Sequence, residues 1–454
     1  MGLDRVAISQ RFVENTRSNM NKTDRTRTRY WILGFLVAAL FAGILVPVAV
    51  QQTEAGGIGP DVTIIYLNGT RNYGSASGMR AYSVGTTSCN IGDEPLWWCD
   101  DPEDTFCETN QHPVIAQNIY RLKDDRFEQI GASWLKHGFL SLNTPDSDCG
   151  NCQNPPFGGD QLGVGCTDAY GAGLNGSRPL GMRSEVNPAT GDFPFPATQV
   201  SSPSVLDQRI QVAEVELDPT LNPGARYFIE GHYVAADDAA AENALNNASY
   251  QEVTIEEGTF DLETIPGKGT VREQAAIEAW PAIDPLVDFL AVDVPGSVPV
   301  ERFHVARKVT SLGGGQYHYE YAVHNMNSDR SAQNFTIQFP EATTITNAGF
   351  RDVDHHSGEP YDTTDWGINI DNKAGQITWF TDTFGSNPNA NALRWGTMFS
   401  FWFDASASSS GIQHSIGLFK KSSPSNVNFL IQSTQVFDDG FESGDTSSWA
   451  SEVP

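Results

Sequence analysis

The fold is indicated most clearly by residues 303–324, which read Phe303-His-Val-Ala-Arg-Lys-Val309, then Ser311-Leu-Gly-Gly-Gly315, then Tyr317-His-Tyr-Glu-Tyr-Ala-Val-His324. Apolar and polar residues alternate on both sides of a glycine-rich turn, a pattern typical of an antiparallel hairpin with one buried face. A three-residue loop at Gly313–Gly315 would fix the register of the two strands. The opposite pairs would then be Val305 with Val323, Val309 with Tyr319, Lys308 with Glu320, and His304 with His324.

Further strand patterns follow the hairpin at residues 334–339, 376–380, 397–403 and 415–419. Polar turn residues separate them, and the spacing is typical of antiparallel sheets rather than of alternating strands and helices. We therefore expect an antiparallel, immunoglobulin-like β-sandwich over residues 300–437, followed by a C-terminal tail at 438–454.

The residues before the hairpin also favour β-structure. Strand and hairpin patterns occupy residues 61–66, 118–130, 210–217 and 225–234. Helical patterns are restricted to two short stretches, 237–245 and 272–280. The predicted fold class is all-β. It has a disulfide-stapled, β-rich domain at 56–203, a β-rich middle region with short helices at 204–299, and then the sandwich.

All the cysteines lie within the predicted N-terminal domain: Cys89, Cys99, Cys107, Cys149, Cys152 and Cys166. An even number confined to one segment indicates up to three disulfides, although the sequence does not determine their pairing. Cys149, Cys152 and Cys166 could instead bind a structural zinc ion, but no fourth ligand follows at a suitable spacing. We therefore expect disulfides.

The first 55 residues are predicted to form a leader. Its basic part ends with Arg25, Arg27 and Arg29, and an uncharged apolar run follows at 30–50. That run is long enough to span a membrane as a helix. It is alternatively the apolar region of a signal peptide that is cleaved before Gly56. Both alternatives place the remainder outside the cytoplasm, secreted or at the cell surface, and limit membrane contact to residues 30–50 of an uncleaved chain.

The chain is strongly acidic, with a formal net charge of −28 at pH 7. The leader is basic, so the predicted extracytoplasmic part is more acidic than the whole chain. Such a surface disfavours nucleic acid and anionic membranes as partners. It is compatible with divalent cations, with a basic partner or with a medium of high ionic strength.

Two groups of side chains are candidate metal ligands. Asp352, Asp354, Glu359 and Asp362 surround the pair His355-His356, and carboxylates this dense on a loop suit calcium. Their spacing differs from that of an EF-hand loop, and the alternative is an acidic, turn-rich loop without a metal. On the hairpin, His304, His318 and His324 share one strand face by parity. They could bind copper or zinc, or simply be solvated.

The sequence predicts no catalytic residue. It has no Gly-x-Ser-x-Gly elbow, no Walker or Rossmann glycine pattern and no His-Glu-x-x-His. His112 and His137 could act as a base or a ligand, or be structural. The alternative of a catalytic pair of carboxylates for glycoside hydrolysis stays open, because the separation of two carboxylates depends on the three-dimensional structure.

Several motifs resemble known proteins. Tyr319-Glu-Tyr-Ala-Val-His-Asn325, followed by Asn334-Phe-Thr-Ile-Gln-Phe339, resembles the immunoglobulin-like repeats of bacterial surface proteins. Phe437-Asp-Asp-Gly-Phe-Glu-Ser-Gly-Asp-Thr-Ser-Ser-Trp449 resembles a C-terminal tail of exported bacterial proteins. Residues 81–91 and 133–139 resemble an uncharacterised family of secreted bacterial proteins that covers nearly the whole chain. The resemblance implies export and this architecture, and it transfers no catalytic residue.

The expected function is that of an exported, acidic binding or structural protein of the cell surface or medium. It would assemble with copies of itself or with cell-envelope polysaccharide, and calcium would stabilise it. The alternative is a secreted enzyme, either a polysaccharide-acting hydrolase or a metal-dependent oxidoreductase.

Overall fold

The computed structural model describes residues 58–99, 111–198, 204–421 and 423–432. The predicted leader, including the apolar run at 30–50, lies outside these residues, as do Cys107 and the predicted tail at 438–454. The described chain is all-β, and every pairing between its strands is antiparallel. None of its helices is long and apolar enough to cross a membrane.

In chain order the strands are β1 (Val62–Ala76), β2 (Met79–Asn90), β3 (Leu96–Trp97), β4 (Val114–Lys123), β5 (Arg126–Ala132), β6 (Lys136–His137), β7 (Thr144–Pro145), β8 (Gln161–Leu162), β9 (Cys166–Tyr170), β10 (Ile210–Ala213), β11 (Arg226–Val234), β12 (Ala248–Ile255), β13 (Leu262–Thr264), β14 (Val287–Asp293), β15 (Arg302–Gly313), β16 (Gln316–Asn325), β17 (Ala332–Gln338), β18 (Ile345–Arg351), β19 (Gly367–Asp371), β20 (Gln376–Phe380), β21 (Thr397–Ala405), β22 (Gln413–Leu418) and β23 (Asn426–Phe429). The α-helices are α1 (Ala172–Asn175), α2 (Glu214–Leu217), α3 (Ala236–Ala240) and α4 (Ala279–Ile283), and 3₁₀-helices occupy Gly158–Asp160, Arg183–Glu185 and Ala276–Glu278.

The strands form four main sheets. Sheet I has the order β1-β2-β9-β7, with β10 also paired to β2, and sheet II has the order β13-β12-β11-β4-β5, with β6 paired to β4. Sheet III is β14-β15-β16-β21-β18, and sheet IV is β19-β20-β17-β22-β23. Strands β3 and β8 form a separate short ribbon.

The four sheets are stacked as layers, with a hydrophobic core between each neighbouring pair. Sheets I and II enclose one core and sheets III and IV enclose another, so each pair is a β-sandwich. A third core, here called the interlayer core, lies between sheets II and III. Its largest members are Tyr120, Phe127, Phe228, Tyr250, Trp280 and Met398. Both faces of the two middle sheets are therefore buried.

The hairpin of strands β15 and β16 has the predicted register. Val305 is paired with Val323, and Val309 with Tyr319, as the alternation indicated. The turn is tighter than the predicted three-residue loop, because β15 continues to Gly313 through an irregularity after Ser311. The two remaining turn residues, Gly314 and Gly315, both have positive φ, which glycine adopts at little cost.

The sheet pairing does not follow the predicted division at residues 203 and 299. Strands β10 and β11 pair with β2 and β4 of the first sandwich, and β14 pairs with β15 of the second. The predicted strand at 210–217 ends at Ala213 and continues as helix α2. Ala213 is opposite Met79, the first residue of β2, so no β2 residue remains to pair with Glu214.

Two disulfides, Cys89–Cys149 and Cys152–Cys166, join the loops between β6 and β9 to sheet I. Cys99 is also disulfide-bonded. The alternative of a zinc site is therefore excluded for Cys149, Cys152 and Cys166, because their sulfurs are not free thiolates.

Candidate functional site

A cluster of buried polar side chains lies at one end of the interlayer core. His232 on β11 extends from sheet II, and His304 on β15 and His324 on β16 extend from sheet III. Arg183, in a 3₁₀-helix, lies close enough to lower the pKa of both His232 and His324. We call Arg183, His232, His304 and His324 the polar junction.

The three histidines of the polar junction are buried and uncharged. His304 and His324 are opposite each other in the hairpin, with ring centroids 5.7 Å apart. Burial lowers the pKa of His232 and of His304 to about 3, and it lowers the pKa of His324 well below its usual range. Both ring nitrogens of His324, and Nδ1 of His232 and of His304, have no hydrogen-bond partner among the described residues.

Arg183 links the two sandwiches through its side chain. Its guanidinium donates to the carbonyl oxygens of Ser133 (2.7 Å) and Gln117 (3.1 Å) in the first sandwich and to that of Gly396 (3.0 Å) in the second. It also donates to Oδ1 of Asn118 at 2.8 Å. The fixed positive charge of Arg183 opposes both protonation of the neighbouring histidines and binding of a cation beside them.

The predicted copper or zinc group is only partly brought together. His304 and His324 meet, and His232, which the sequence did not single out, joins them from another sheet. His318 lies elsewhere on β16 and contacts Glu320 and Asp404, and these carboxylates raise its pKa. Among the described residues, no three His, Cys, Asp or Glu side chains are arranged to hold a metal ion.

Three of the four predicted calcium ligands have separate hydrogen-bond partners, and the fourth, Asp354, lines a small cavity beside the loop. Asp352 accepts a hydrogen bond from Asn391, and Asp362 accepts one from Asn387 at 2.8 Å. Glu359 accepts from the backbone N–H groups of Arg183 and Ser184. The carboxylates are thus engaged at different places along the loop. Within the described ranges, these carboxylates do not form a group of three that could hold a metal ion.

A small cavity lies between this loop and the polar junction. Its volume is about 20 Å³, and its lining includes Arg183, Asp354, His355, Glu359, Arg394 and Trp395. A space of this size holds about one water molecule. Binding sites for small molecules are far larger, typically about 300–1,000 Å³. The cavity therefore cannot accommodate a substrate.

A larger concave surface is an open groove of about 600 Å³ at the seam of the two sandwiches. Its polar lining consists of Ser184, Glu185, Asn187, Asp192, Asp329 and Lys420. Lys420 pairs with Asp329 at 2.6 Å, whereas Glu185 and Asp192 accept hydrogen bonds from threonines of the same loop. Sequence reasoning missed the groove because its residues are distant in sequence and form no motif.

His112 and His137 form a hydrogen-bonded pair in the first sandwich. Nε2 of His112 lies 2.8 Å from Nδ1 of His137, and Nδ1 of His112 lies 2.9 Å from the carbonyl oxygen of Cys99. The rings of Phe139, Phe193 and Phe195 surround the pair. Burial lowers the pKa of His112 to about 4 and that of His137 to about 3, so both imidazoles are neutral.

Comparisons with known proteins leave the family open. No protein-family model and no curated protein matches the chain. Among solved structures, the N-terminal domain of the Streptococcus gordonii adhesin Sgo0707 aligns with a TM-score of 0.17 and 7% sequence identity. The alignment covers 83% of this chain and 98% of that domain. A similarity this weak does not establish a common fold.

Proposed function

We propose that this chain is an exported protein of the cell surface or medium that serves as a rigid binding or structural unit. The observation that carries the proposal is the stacking of four sheets on three continuous cores. A protein whose two sandwiches share a buried core resists relative motion between them, as a load-bearing or ligand-presenting unit requires.

The compartment is supported by the disulfides. Disulfides persist in oxidising, extracytoplasmic environments and are rare in the cytosol. The basic leader and apolar run of the sequence agree with that location, and the acidic composition suits a solvated surface exposed to the medium.

The open groove is the surface that we propose for ligand binding. Its carboxylates and amide offer hydrogen-bond acceptors and donors to a polar ligand, and cell-envelope polysaccharide is a partner of that chemistry. The enzyme alternative gains no comparable support within the described ranges, where none of the histidines with lowered pKa lines the groove.

Binding of the exported chain to cell-envelope fractions and purified polysaccharides tests the proposal. We expect saturable binding, weakened about tenfold by Glu185→Gln or by Asp192→Asn, since one hydrogen bond to a charged group contributes about 1.4 kcal/mol or more. The matched control is Glu263→Gln, an exposed carboxylate on β13. Absence of binding to every fraction, or turnover of a polysaccharide by the purified chain, would contradict the proposal.

A further inference from the structure

Strand β19 is an edge of sheet IV without the usual protection. All five of its residues are exposed, and no described strand pairs with its outer side. Alternate residues of an edge strand direct their N–H and C=O groups away from the sheet, which makes the edge a template for another strand. The sequence Gly367-Ile-Asn-Ile-Asp371 contains no lysine, arginine or proline and no bulge that would block such pairing. Its one charged residue, Asp371, lies at the end of the strand and accepts hydrogen bonds from the N–H groups of Lys373 and Ala374 in the following turn.

The other edges of the two sheets of this sandwich are better protected. Strand β14 carries Asp288 and Asp293, which pair with arginines of β15. Strand β18 pairs irregularly with β21 and ends in Arg351, which forms ion pairs with Glu128 and Glu216. Strand β23 is only four residues long. Among the described edge strands of this sandwich, β19 is therefore the least protected.

Apolar side chains are exposed at the same edge. Ile368 and Ile370 are opposite Trp379 and Ile377 of the sandwich core, yet they are 40% and 37% exposed because no further strand of the described residues covers them. Phe380, on the opposite face of the sheet, is 46% exposed. A strand added to β19 would remove the two isoleucines from water.

We propose that β19 pairs with β19 of a second copy of this chain, antiparallel and about a two-fold axis at Asn369, so that two copies share one continuous ten-stranded sheet. This proposal rests on the function proposed above, because pairing between two copies would assemble a structural protein of the cell surface or medium.

The sequence of β19 indicates that the strand pairing with this edge is β19 of a second copy. In an antiparallel pairing centred on Asn369, Ile368 lies opposite Ile370 of the partner subunit and Gly367 lies opposite Asp371 of the partner subunit. Isoleucine thus meets isoleucine on the core side, and no two aspartates are opposite each other. This self-complementarity is what an isologous two-fold interface requires.

Engineered cysteines test the register directly. Residues directly opposite in antiparallel strands have Cβ atoms about 4.5–5.5 Å apart, close enough for a disulfide after small adjustments. Asn369→Cys should therefore give a disulfide-linked dimer of the exported chain under mild oxidation. Asp371→Cys is the matched control, because its partner in this register is Gly367 and it should cross-link at least tenfold more slowly. Equal rates for the two variants would overturn the proposed register.

A charge placed on the edge tests the interface without a cross-link. Ile370→Lys should shift the sedimentation-equilibrium mass of the exported chain from dimer to monomer, whereas Leu312→Lys, at the exposed tip of the β15–β16 hairpin, should leave it unchanged. Because the chain carries a formal charge of −28, we also expect the dimer to strengthen as salt screens repulsion between the copies. A monomer at all salt concentrations would overturn self-pairing while leaving the envelope-binding test unaffected.

Discussion

Two histidines of the same strand lie in environments that shift their pKa values in opposite directions. On β16, His324 is buried, and neither of its ring nitrogens has a hydrogen-bond partner in the described part of the chain, whereas His318 is half-buried and hydrogen-bonded to Asp404 and Glu320. Burial lowers the pKa of His324, and the two carboxylates raise the pKa of His318. The two side chains should therefore contribute to stability with opposite pH dependence.

Replacing His324 should stabilise the protein. His324→Leu removes two unpartnered polar atoms from the interior, and we expect the free energy of unfolding to rise by about 1–3 kcal/mol at pH 7.5. Below pH 6.5 the unfolded chain protonates His324 but the folded chain does not, so wild-type stability falls as pH falls. The gain should be about 2 kcal/mol larger at pH 5. Urea unfolding at the two pH values measures the difference.

The contrasting variant is His318→Leu. The folded pKa of His318 is raised, so its stabilising contribution is fully present below pH 6.5 and is lost as pH rises through the folded pKa. We expect a modest loss of stability at pH 5 that shrinks at pH 8. A gain for His318→Leu, or a pH-independent effect of His324→Leu, would contradict the assignment of these environments.

Strands β18 and β21 show how one glycine positions a contact between elements. A Cβ atom at Gly349 on β18 would lie 2.1 Å from the ring of Trp402 on β21. The face of Trp402 in turn supports Arg126 of β5, whose guanidinium carbon lies 3.4 Å from the ring centroid and which pairs with Glu320 of β16 at 2.7 Å. The glycine thus leaves room for a contact that joins the two sandwiches.

Gly349→Ala should displace Trp402 and loosen this contact. Inserting a methyl group into a filled space costs about 1–3 kcal/mol, and we expect a decrease of that size in the free energy of unfolding. Urea unfolding followed by tryptophan fluorescence measures it. Gly269→Ala is the control, because no atom lies within 4 Å of its added Cβ and its φ is not positive. Equal effects of the two variants would show that Trp402 does not require the glycine.

At the scale of the whole molecule, the interlayer core and a set of ion pairs join the two sandwiches. Arg121 of β4 pairs with Glu128 at 2.6 Å and with Glu216 at 2.5 Å, and Arg351 of sheet III pairs with Glu216 at 2.8 Å. Phe127 of the interlayer core packs against Tyr120, Phe228 and Trp280. We therefore expect the described sheets to unfold as one cooperative unit.

Phe127→Ala tests this cooperativity. Truncating a buried phenylalanine costs about 3–5 kcal/mol, and the loss should appear equally in the outermost sheets. Hydrogen exchange of amides in β2 of sheet I and in β22 of sheet IV should accelerate to the same extent. Leu312→Ala, at the exposed hairpin tip, should change neither. Acceleration in only one of the two outer sheets would show that the sandwiches unfold separately.

The sequence by itself determined the fold class and the register of the central hairpin. Alternation has a period of two residues, so the position of the turn assigns every side chain of β15 and β16 to a face and to a cross-strand neighbour. The even number of cysteines within one segment likewise predicted disulfides without knowledge of the fold. The pairings Cys89–Cys149 and Cys152–Cys166 emerged only from the fold.

Only the tertiary structure decided which groups meet across the layers. Lys308 is opposite Glu320, as predicted, yet its ammonium pairs with Asp125 and Asp284, while Glu320 pairs with Arg126. His304 and His324 meet His232 rather than His318, because the neighbouring sheet lies over one end of the hairpin. Contacts within a strand pair follow from a short repeat, whereas contacts between sheets depend on how layers distant in sequence are stacked, and no local pattern encodes that stacking.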